Sequence, residues 1–224
     1  MSAYFVTAIG TEIGKTYVSA CLLKGWRAAG HMVHALKPVM SGFGQDALDI
    51  SDAGQLLKAC GRPVTPQSVS EVCLHRFEAP LAPNVAMRRA GVAQDYEAIL
   101  SFTRARLQQA GARRMIVEGA GGVMSPLTDD TLQIDFMADL GLPVILVAAP
   151  YLGAVSHTLT AVDALRARGI GIDRLIISQP EAGSADPATL GQEISRFRAV
   201  RWQVLGHGSE VFAGSGTTDA APSP

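Results

Sequence analysis

The sequence of 224 residues is long enough for one domain of ordinary size. Hydrophobic residues make up 48% of it and charged residues 17%, a balance that excludes intrinsic disorder. The 19 basic and 20 acidic side chains give a formal net charge of −1, so there is no electrostatic reason to expect a nucleic acid or an anionic membrane as a partner. We therefore expect any anionic ligand to be held by a local arrangement of side chains.

Cysteine usage and the absence of targeting signals indicate a cytoplasmic protein. Cys21, Cys60 and Cys73 are odd in number and scattered, with no C-x-x-C pair, so reduced thiols are expected and not a zinc site or a disulfide framework. The first residues, MSAYFVTAIG, lack the basic and apolar segments of a signal peptide. The longest apolar run, residues 142–155, is interrupted by two prolines and a glycine and is too short to span a bilayer.

Short apolar strands alternate with amphipathic helices along most of the chain. The predicted strands are Tyr4–Thr7, Val33–Lys37, Val72–Phe77, Met115–Glu118, Val144–Ala148, Leu175–Ser178 and Val200–Leu205. The predicted helices are Thr16–Ala29, Ile50–Cys60, Asp95–Ala110, Leu132–Leu140, Val155–Arg168 and Ala188–Phe197. Residues Glu78–Asn84, EAPLAPN, are predicted to form a loop.

This alternation predicts an α/β fold with a doubly wound, mainly parallel sheet and helices on both faces. Folds of this kind bind ligands at the carboxyl ends of the strands. We expect a single domain over residues 1–206. Residues 207–224 are small, polar and proline-containing, which predicts a short frayed tail.

The first strand runs directly into AIGTEIGKT, where Gly14, Lys15 and Thr16 open the first helix. The strict P-loop pattern, G-x-x-x-x-G-K-[ST], needs glycine at the position of Ile9. Gly10 and Gly14 still permit a tight loop, and the start of the helix offers unpaired N–H groups to a phosphate. We therefore favour a phosphate-binding, P-loop NTPase-like segment over a surface turn with a solvated lysine.

A second lysine and a glutamate are also predicted at strand ends. The segment LKPVMSG places Lys37 and Ser41 after the second strand, and VEGAGG places Glu118 at the end of a later one. Because the carboxyl ends of parallel strands meet at one edge of the sheet, these side chains are expected to face the same crevice as the phosphate loop. The glycines after Glu118 allow the backbone to approach a ligand closely.

Three oxygen-bearing side chains are candidates for binding Mg²⁺. Mg²⁺ is bound by about six oxygens, usually one or two carboxylates together with phosphates and waters. Thr16 and Glu118 would supply two of these oxygens, and Asp52 in the segment ISDA would supply a third. Asp49 or Asp46 could do so instead, because the spacing alone does not choose between them.

The succession GTEIGKT, LKPVMSG, SDA, APLAP, VEGAGGVMSPL, LPVILVA and LGAVSHTLTA resembles the dethiobiotin synthetase family over about residues 4–180. Amide ligases of cobalamin biosynthesis share parts of this pattern. The resemblance implies an ATP- and Mg²⁺-dependent ring closure. Diaminopelargonate takes up CO₂ as a carbamate, the carbamate attacks the γ-phosphate to form a carbamic–phosphoric anhydride, and the second amine closes the ring with loss of phosphate.

The resemblance also implies roles for individual residues. The catalytic residues would be Lys15 and Lys37, and the metal ligands Thr16, Asp52 and Glu118. The substrate would contact Thr11, Lys37 and Ser41. ATP would be bound by Glu12, Ile13, Gly14, Lys15, Thr16, Tyr17, Asp52, Glu118, Gly119, Ala120, Gly121, Ser178 and Gln179.

The chain departs from the family pattern in the phosphate loop, at the base-contacting positions, and at Tyr151 and Ser156, where the family often has lysine and asparagine. The phosphate loop of the family usually begins G-T-D-T, where residues 8–11 here read AIGT. The adenine-reading asparagine corresponds to Ser178, and a later base-contacting loop corresponds to residues 206–209, which leaves the nucleobase preference open. The family resemblance implies a homodimer with residues 152–157 near its interface.

Three other classes of protein fit the sequence less well. A partitioning-type ATPase switch usually carries a second lysine in the phosphate loop, at the position of Gly10 or Thr11, and neither is lysine. An amide ligase of cobalamin biosynthesis normally adds a glutaminase domain, for which this length leaves no room. A nucleotide kinase would need an arginine-rich lid, for which Arg88 and Arg89 are weak candidates.

Overall fold

The computed structural model describes residues 2–179 and 186–212 of the chain. The strands are β1 (Ser2–Ala8), β2 (Val33–Leu36), β3 (Val39–Ser41), β4 (His75–Phe77), β5 (Arg114–Glu118), β6 (Val144–Ala148), β7 (Ile172–Ser178) and β8 (Trp202–Leu205). The helices are α1 (Lys15–Ala28), α2 (Asp52–Ala59), α3 (Pro66–Val72), α4 (Pro83–Ala90), α5 (Tyr96–Gln109), α6 (Gln133–Leu140), α7 (Ala154–Ala167) and α8 (Pro187–Phe197). A short 3₁₀ segment, Gln45–Ile50, precedes α2.

Six of these strands form a parallel sheet in the order β2-β5-β1-β6-β7-β8. The first strand lies near the middle, and the chain winds outwards from it in both directions. All five residues of β6 are buried, as expected for a strand covered on both faces. The carboxyl ends of β1, β2 and β5 therefore meet at one edge of the sheet, which confirms the predicted doubly wound arrangement.

Helices cover both faces because successive side chains of a strand point to opposite sides. Phe5 packs edge-on against Phe136 of α6, with ring centroids 5.8 Å apart, in a core that also includes Ile99 of α5. Its neighbour Val6 points to the other face and shares a buried cluster with Val18 of α1. The expectation of helices on both faces is confirmed.

A second, small sheet pairs β3 with β4 in parallel. The sequence analysis predicted no strand over Val39–Ser41, where the structure has β3, and one strand over Val72–Phe77, where it has the end of α3 and then β4. The second difference has a local cause. Thr65 caps α3 through a reciprocal hydrogen-bond pair with Ser68, and this capping box favours helix through Val72.

The helix α4 begins inside the predicted loop Glu78–Asn84. Pro83 stands at the first helical position, where its missing N–H costs nothing and its restricted φ suits the helix. The prolines of this segment predicted a loop, but one of them, Pro83, starts a helix. Residues 80–83, just before and at this start, line the cavity described below.

Two residues of the predicted tail, Ser209 and Phe212, form hydrogen bonds with α1. The amide of Phe212 donates a hydrogen bond to the carbonyl oxygen of Cys21 at 3.1 Å. The hydroxyl of Tyr17 donates to the carbonyl oxygen of Ser209 at 2.8 Å. Backbone groups of Ser209 and Phe212 are therefore hydrogen-bonded to α1, and fraying of the tail as a whole stays a prediction. Residues 213–224 of the predicted tail lie outside the described part of the chain.

The three cysteines are free thiols. Burial raises the pKa of Cys60 and of Cys73 to about 12, so neither is a ready nucleophile at neutral pH. Within the residues that the structure describes, no helix combines the length and the apolar character needed to cross a bilayer.

The packing of α8 on β8 can be tested by a substitution at Gly191. A Cβ at this position would overlap the indole ring of Trp202. We expect Gly191→Ala to lower the free energy of unfolding by about 1–3 kcal/mol, measured by urea denaturation, although alanine favours helix more than glycine does. Gly171→Ala is the matched control, since among the described residues no atom beyond its two chain neighbours lies within 4 Å of its Cβ position. Equal effects at both positions would contradict the packing argument.

Candidate active site

A cavity of about 730 Å³ opens at the carboxyl-terminal edge of the large sheet. It lies between the phosphate loop, the segment after β2, the start of α2, the loop before α4 and the turn after β5. Its lining residues are Thr11, Glu12, Gly14, Lys15, Thr16, Tyr17, Lys37, Ser41, Gly42, Asp52, Gln55, Pro80, Leu81, Ala82, Pro83, Ala120, Gly121 and Ser125. Most of the predicted site residues thus line one cavity.

The loop between β1 and α1 has the strained backbone of a phosphate-binding turn. Gly14, the residue before α1, has φ 91°, and Glu12 has φ 59°, a left-handed conformation that is uncommon for a residue with a side chain. Lys15 donates a hydrogen bond from Nζ to the carbonyl oxygen of Gly10 at 3.1 Å. Burial, and then the charge of Lys37, lowers the pKa of Lys15 to about 8. A bound phosphate would stabilise the charged form of Lys15.

Lys37 is the central charge of the site. It is 3% exposed, and its Nζ lies 2.8 Å from Glu118 Oε1 and 2.9 Å from Asp52 Oδ2. A further hydrogen bond runs from Nζ to the carbonyl oxygen of Gly119 at 3.1 Å. Burial opposes its charge, but Glu118 and Asp52 outweigh burial and raise the pKa of Lys37. Burial would also favour the neutral acid at Asp52, yet the charge of Lys37 lowers the pKa of that carboxyl. The ammonium group is therefore charged at neutral pH.

Thr16, Asp52 and Glu118 form a cluster of oxygens that fits Mg²⁺. The Thr16 hydroxyl oxygen lies 2.9 Å from Asp52 Oδ1 and 2.8 Å from Glu118 Oε1, and its single proton can serve only one of them. Neighbouring ligands of an octahedral ion with bonds of about 2.0–2.1 Å stand about 2.9 Å apart. Glu118 Oε2 is buried and has no hydrogen-bond partner among the described residues. The donor set and this spare oxygen both suit a divalent cation.

The structure separates the three candidate aspartates. Asp52 contacts both Thr16 and Lys37, whereas Asp49 is exposed and forms an ion pair with Lys58 at 3.3 Å. The side chain of Asp46 lies outside the described residues. In the part of the chain that is described, no cluster of three or more His, Cys, Asp or Glu side chains could hold a metal ion. A bound Mg²⁺ would therefore need phosphate or water oxygens as well.

The turn after β5 requires its glycines. A Cβ on Gly119 would lie 2.9 Å from the ring of Phe5, and one on Gly121 would overlap the hydroxyl of Ser125. That hydroxyl accepts a hydrogen bond from the amide of Gly122 at 2.7 Å. The turn thus brings backbone atoms close to the cavity.

Several lining residues were not among the predicted site residues. Gln55 reaches the cavity from α2, one helical turn after Asp52, and Ser125 reaches it from the turn after β5. Residues 80–83 line it from the loop before α4. The segment APLAP, part of the family resemblance, was a signal for this last wall. The motif VMSPL, also part of the family resemblance, was a signal for Ser125.

Ser178 and Gln179 lie at the far side of the phosphate loop. The side chain of Ser178 is fully buried, and its hydroxyl oxygen is 2.9 Å from where a Cβ on Gly14 would sit. The Ser178 hydroxyl has no hydrogen-bond partner among the described residues, and its contact with ATP stays a prediction. The amide of Gln179 donates to the carbonyl oxygen of Leu205 at 2.9 Å. An ATP contact of Gln179 stays a prediction.

Comparisons with known proteins agree on one family. A family model described as an AAA domain matches residues 2–207. The ATP-dependent dethiobiotin synthetase of Phenylobacterium zucineum is 49% identical over 187 residues, which are 84% of this chain and 78% of the relative. That of Caulobacter vibrioides is 43% identical over 203 residues, 91% of this chain and 90% of the relative.

Two solved structures share the fold. FtsY from Mycoplasma mycoides aligns with a TM-score of 0.51 at 11% identity, over 95% of this chain and 64% of that one. A chain of the MinC:MinD cell division complex of Aquifex aeolicus aligns with a TM-score of 0.51 at 13% identity, over 87% of this chain and 78% of that one. At such low identity the likeness concerns the fold alone, and it confirms the P-loop NTPase-like architecture.

Removal of the buried ammonium should leave two carboxylates without their partner. We expect Lys37→Met to lower the free energy of unfolding at neutral pH by about 3–5 kcal/mol, measured by urea denaturation. The double variant Lys37→Met/Glu118→Gln should lose less, because one unpaired charge is gone. Lys58→Met is the control, since its exposed pair with Asp49 should contribute about 1 kcal/mol or less. A loss at Lys37 no larger than at Lys58 would contradict the central position of this ion pair.

Proposed function

The chain belongs to the family of ATP-dependent dethiobiotin synthetases, and we propose that its main cavity binds ATP and diaminopelargonate and closes the ureido ring with CO₂. One observation carries the assignment of residues. A buried ammonium group, that of Lys37, lies between Asp52 and Glu118 and lines the same cavity as Lys15 and Thr16. Two cations and an oxygen cluster at one point suit the transfer of a phosphoryl group to an anionic acceptor.

The phosphate loop would hold the triphosphate of ATP. The amino-terminal end of α1 presents unpaired N–H groups, and the helix dipole favours negative charge there. Lys15 would exchange its bond to the Gly10 carbonyl for contacts with the β- and γ-phosphates. This exchange places a largely desolvated charge beside the phosphates, where it acts more strongly than in water.

Thr16, Asp52 and Glu118 would hold Mg²⁺, with phosphate oxygens and water completing its ligands. When bound, this ion neutralises charge on the phosphates during transfer. The surrounding residues keep their own tasks: Lys15 holds the phosphates, and Lys37 balances the two carboxylates.

The substrate would bind with its amines facing Lys37. One amine adds to CO₂ and loses a proton to give a carbamate. A carbamate oxygen then attacks the γ-phosphorus, the bond to ADP breaks, and a carbamic–phosphoric anhydride results. The second amine attacks the carbamoyl carbon, loses a proton, and phosphate departs as the ring closes. Thr11 and Ser41, which line the cavity, would donate hydrogen bonds to the substrate.

Lys37 would act as a fixed positive charge in this sequence. Its raised pKa means that it keeps its proton at neutral pH, so it is suited to stabilise anions and unsuited to remove protons. The anions it would stabilise are the carbamate and the oxygens of the transferred phosphoryl group.

Three further expectations belong to this proposal. ATP is the proposed co-substrate, while Ser178 and residues 206–209 leave the discrimination between nucleobases open. A homodimer is proposed with residues 152–157 near its interface, a region in which the side chain of Leu152 is completely exposed. The proposed location is the cytoplasm.

The reaction is tested by measuring release of inorganic phosphate from ATP and formation of dethiobiotin by mass spectrometry. Both should require diaminopelargonate, bicarbonate and Mg²⁺ together. Phosphate release that is unaffected by omitting the amine would contradict the proposal and would favour an ATPase switch of the partitioning type.

The two lysines should differ in their kinetic effects. We expect Lys15→Gln to weaken ATP binding and turnover together, because it removes charge from the phosphates both before and during transfer. Lys37→Gln should lower kcat by about 100-fold or more and change ATP affinity little, because its charge is needed most in the transition state. Steady-state kinetics and calorimetric ATP titrations measure both. Equal, small losses in the two variants would contradict these roles.

Glu118→Gln retains the shape of the side chain and removes its charge. We expect turnover to fall by about 100-fold or more while the protein remains folded at the assay temperature. Melting temperature and turnover are measured on one preparation, with Asp49→Asn as a control outside the oxygen cluster. A lower melting temperature with unchanged turnover would show that Glu118 serves only as a structural ion-pair partner.

A further inference from the structure

A second cavity of about 290 Å³ lies far from the proposed reaction site. It is lined by His34 of β2, by Glu71 of α3 and by three arginines, Arg62, Arg106 and Arg113. His34 is the second residue of β2 and pairs with Met115 near the start of β5, so the cavity lies towards the amino-terminal edge of the sheet. The phosphate loop and Lys37 lie at the opposite, carboxyl-terminal edge.

The charges around this cavity are unbalanced. Arg62 follows α2, whereas Arg106 lies on α5 and Arg113 follows it, so three guanidinium groups from two segments of the chain line one cavity. Glu71 is the one carboxylate among the lining residues, and it forms an ion pair with Arg62. A surplus of two positive charges remains, in a chain whose formal net charge is −1.

The pKa of His34 is affected by all three arginines. Burial, followed by the charges of Arg62, Arg113 and Arg106, lowers the pKa of His34 to about 4, and the opposing effect of Glu71 is smaller. The imidazole is therefore neutral at pH 7 and can donate one hydrogen bond. The potential that disfavours a proton on His34 would favour an anion in the same cavity.

The arginines retain unused donors. Arg106 donates to Gln109 Oε1 at 3.0 Å, and Arg113 donates to the carbonyl oxygen of Ala110 at 3.0 Å. Each guanidinium group has five N–H donors, so these bonds use a small part of the available set. The carboxyl end of α5 attracts cations, which accounts for Arg106 and Arg113 individually. It does not account for Arg62, which joins them from another segment.

We propose that this cavity binds a small anion bearing a phosphate group, held by Arg106, Arg113 and His34 with Arg62 contributing charge. A guanidinium group can donate two parallel N–H bonds to two oxygens of one phosphate. A phosphate monoester carries nearly two negative charges, which matches the surplus of two positive charges in the cavity. The volume is close to the lower limit of small-molecule sites, so part of an organic group would fit as well. The proposal is independent of the reaction proposed for the main cavity.

The test follows the ring signals of His34 by NMR while inorganic phosphate is added at constant ionic strength. The signals are assigned by their loss in His34→Gln. A saturable shift is expected in the wild-type protein, and it should persist in Lys15→Gln, where phosphate binding at the phosphate loop is weakened. The apparent pKa of His34 should rise when the site is saturated, because a bound anion offsets the charges of Arg62, Arg106 and Arg113 while Glu71 is unchanged.

Two arginines of α5 provide a matched pair of variants. Arg106→Gln should raise the dissociation constant of phosphate about tenfold. Arg104→Gln should leave it unchanged, since Arg104 donates to the carbonyl oxygen of Asp139 and is not a lining residue. Thermal melting confirms that both variants are folded, and the wild-type titration alone remains decisive if one is not.

Three results would overturn the proposal: a shift that rises linearly without saturation, an equal affinity in Arg106→Gln and Arg104→Gln, or loss of the shift in Lys15→Gln. A parallel titration with glycerol 3-phosphate separates the two sources of the phosphate group. Tighter binding of glycerol 3-phosphate would support an organic phosphate, and equal binding would support free phosphate.

Discussion

The rest of the site depends on one buried ammonium group. Lys37 follows β2, Glu118 ends β5 and Asp52 starts α2, and the ion pairs at 2.8 and 2.9 Å join these three segments at a single point. Neither Glu118 nor Lys37 has appreciable contact with water, so each charge is tolerable only because the other is present. The same contacts bring Asp52 and Glu118 to Thr16, which means that the oxygen cluster beside the phosphate loop is assembled by the charge of Lys37.

Much of this arrangement could be predicted from the sequence because it follows from general geometry. Parallel strands share one carboxyl-terminal edge, so residues placed at strand ends, such as Lys37 and Glu118, meet without any knowledge of the side chains between them. The choice of Asp52 over Asp49 could not be predicted in this way. Both lie within four residues of each other, and the turn from the 3₁₀ segment into α2 decides which of them faces Thr16.

The parts that could not be predicted depend on contacts between distant residues or on caps that compete with loop signals. The backbone bond between Phe212 and Cys21 joins residues far apart in the sequence, and no local pattern in a small, polar tail announces it. Proline is typical of loops, but Pro83 stands at the first position of a helix.

The position of β1 has a consequence for how the protein is made. β1, Ser2–Ala8, precedes both of its partners in the sequence and lies between β5 and β6, whose residues are 114–118 and 144–148. Both of its edges therefore lack their native partners until residues 114–118 have been synthesised. Through that interval an apolar strand with two open edges is exposed to pairing with other chains. The nascent protein is then vulnerable to aggregation before residues 114–118 are made, and a chaperone that covers β1 would protect the strand that later forms the centre of the sheet.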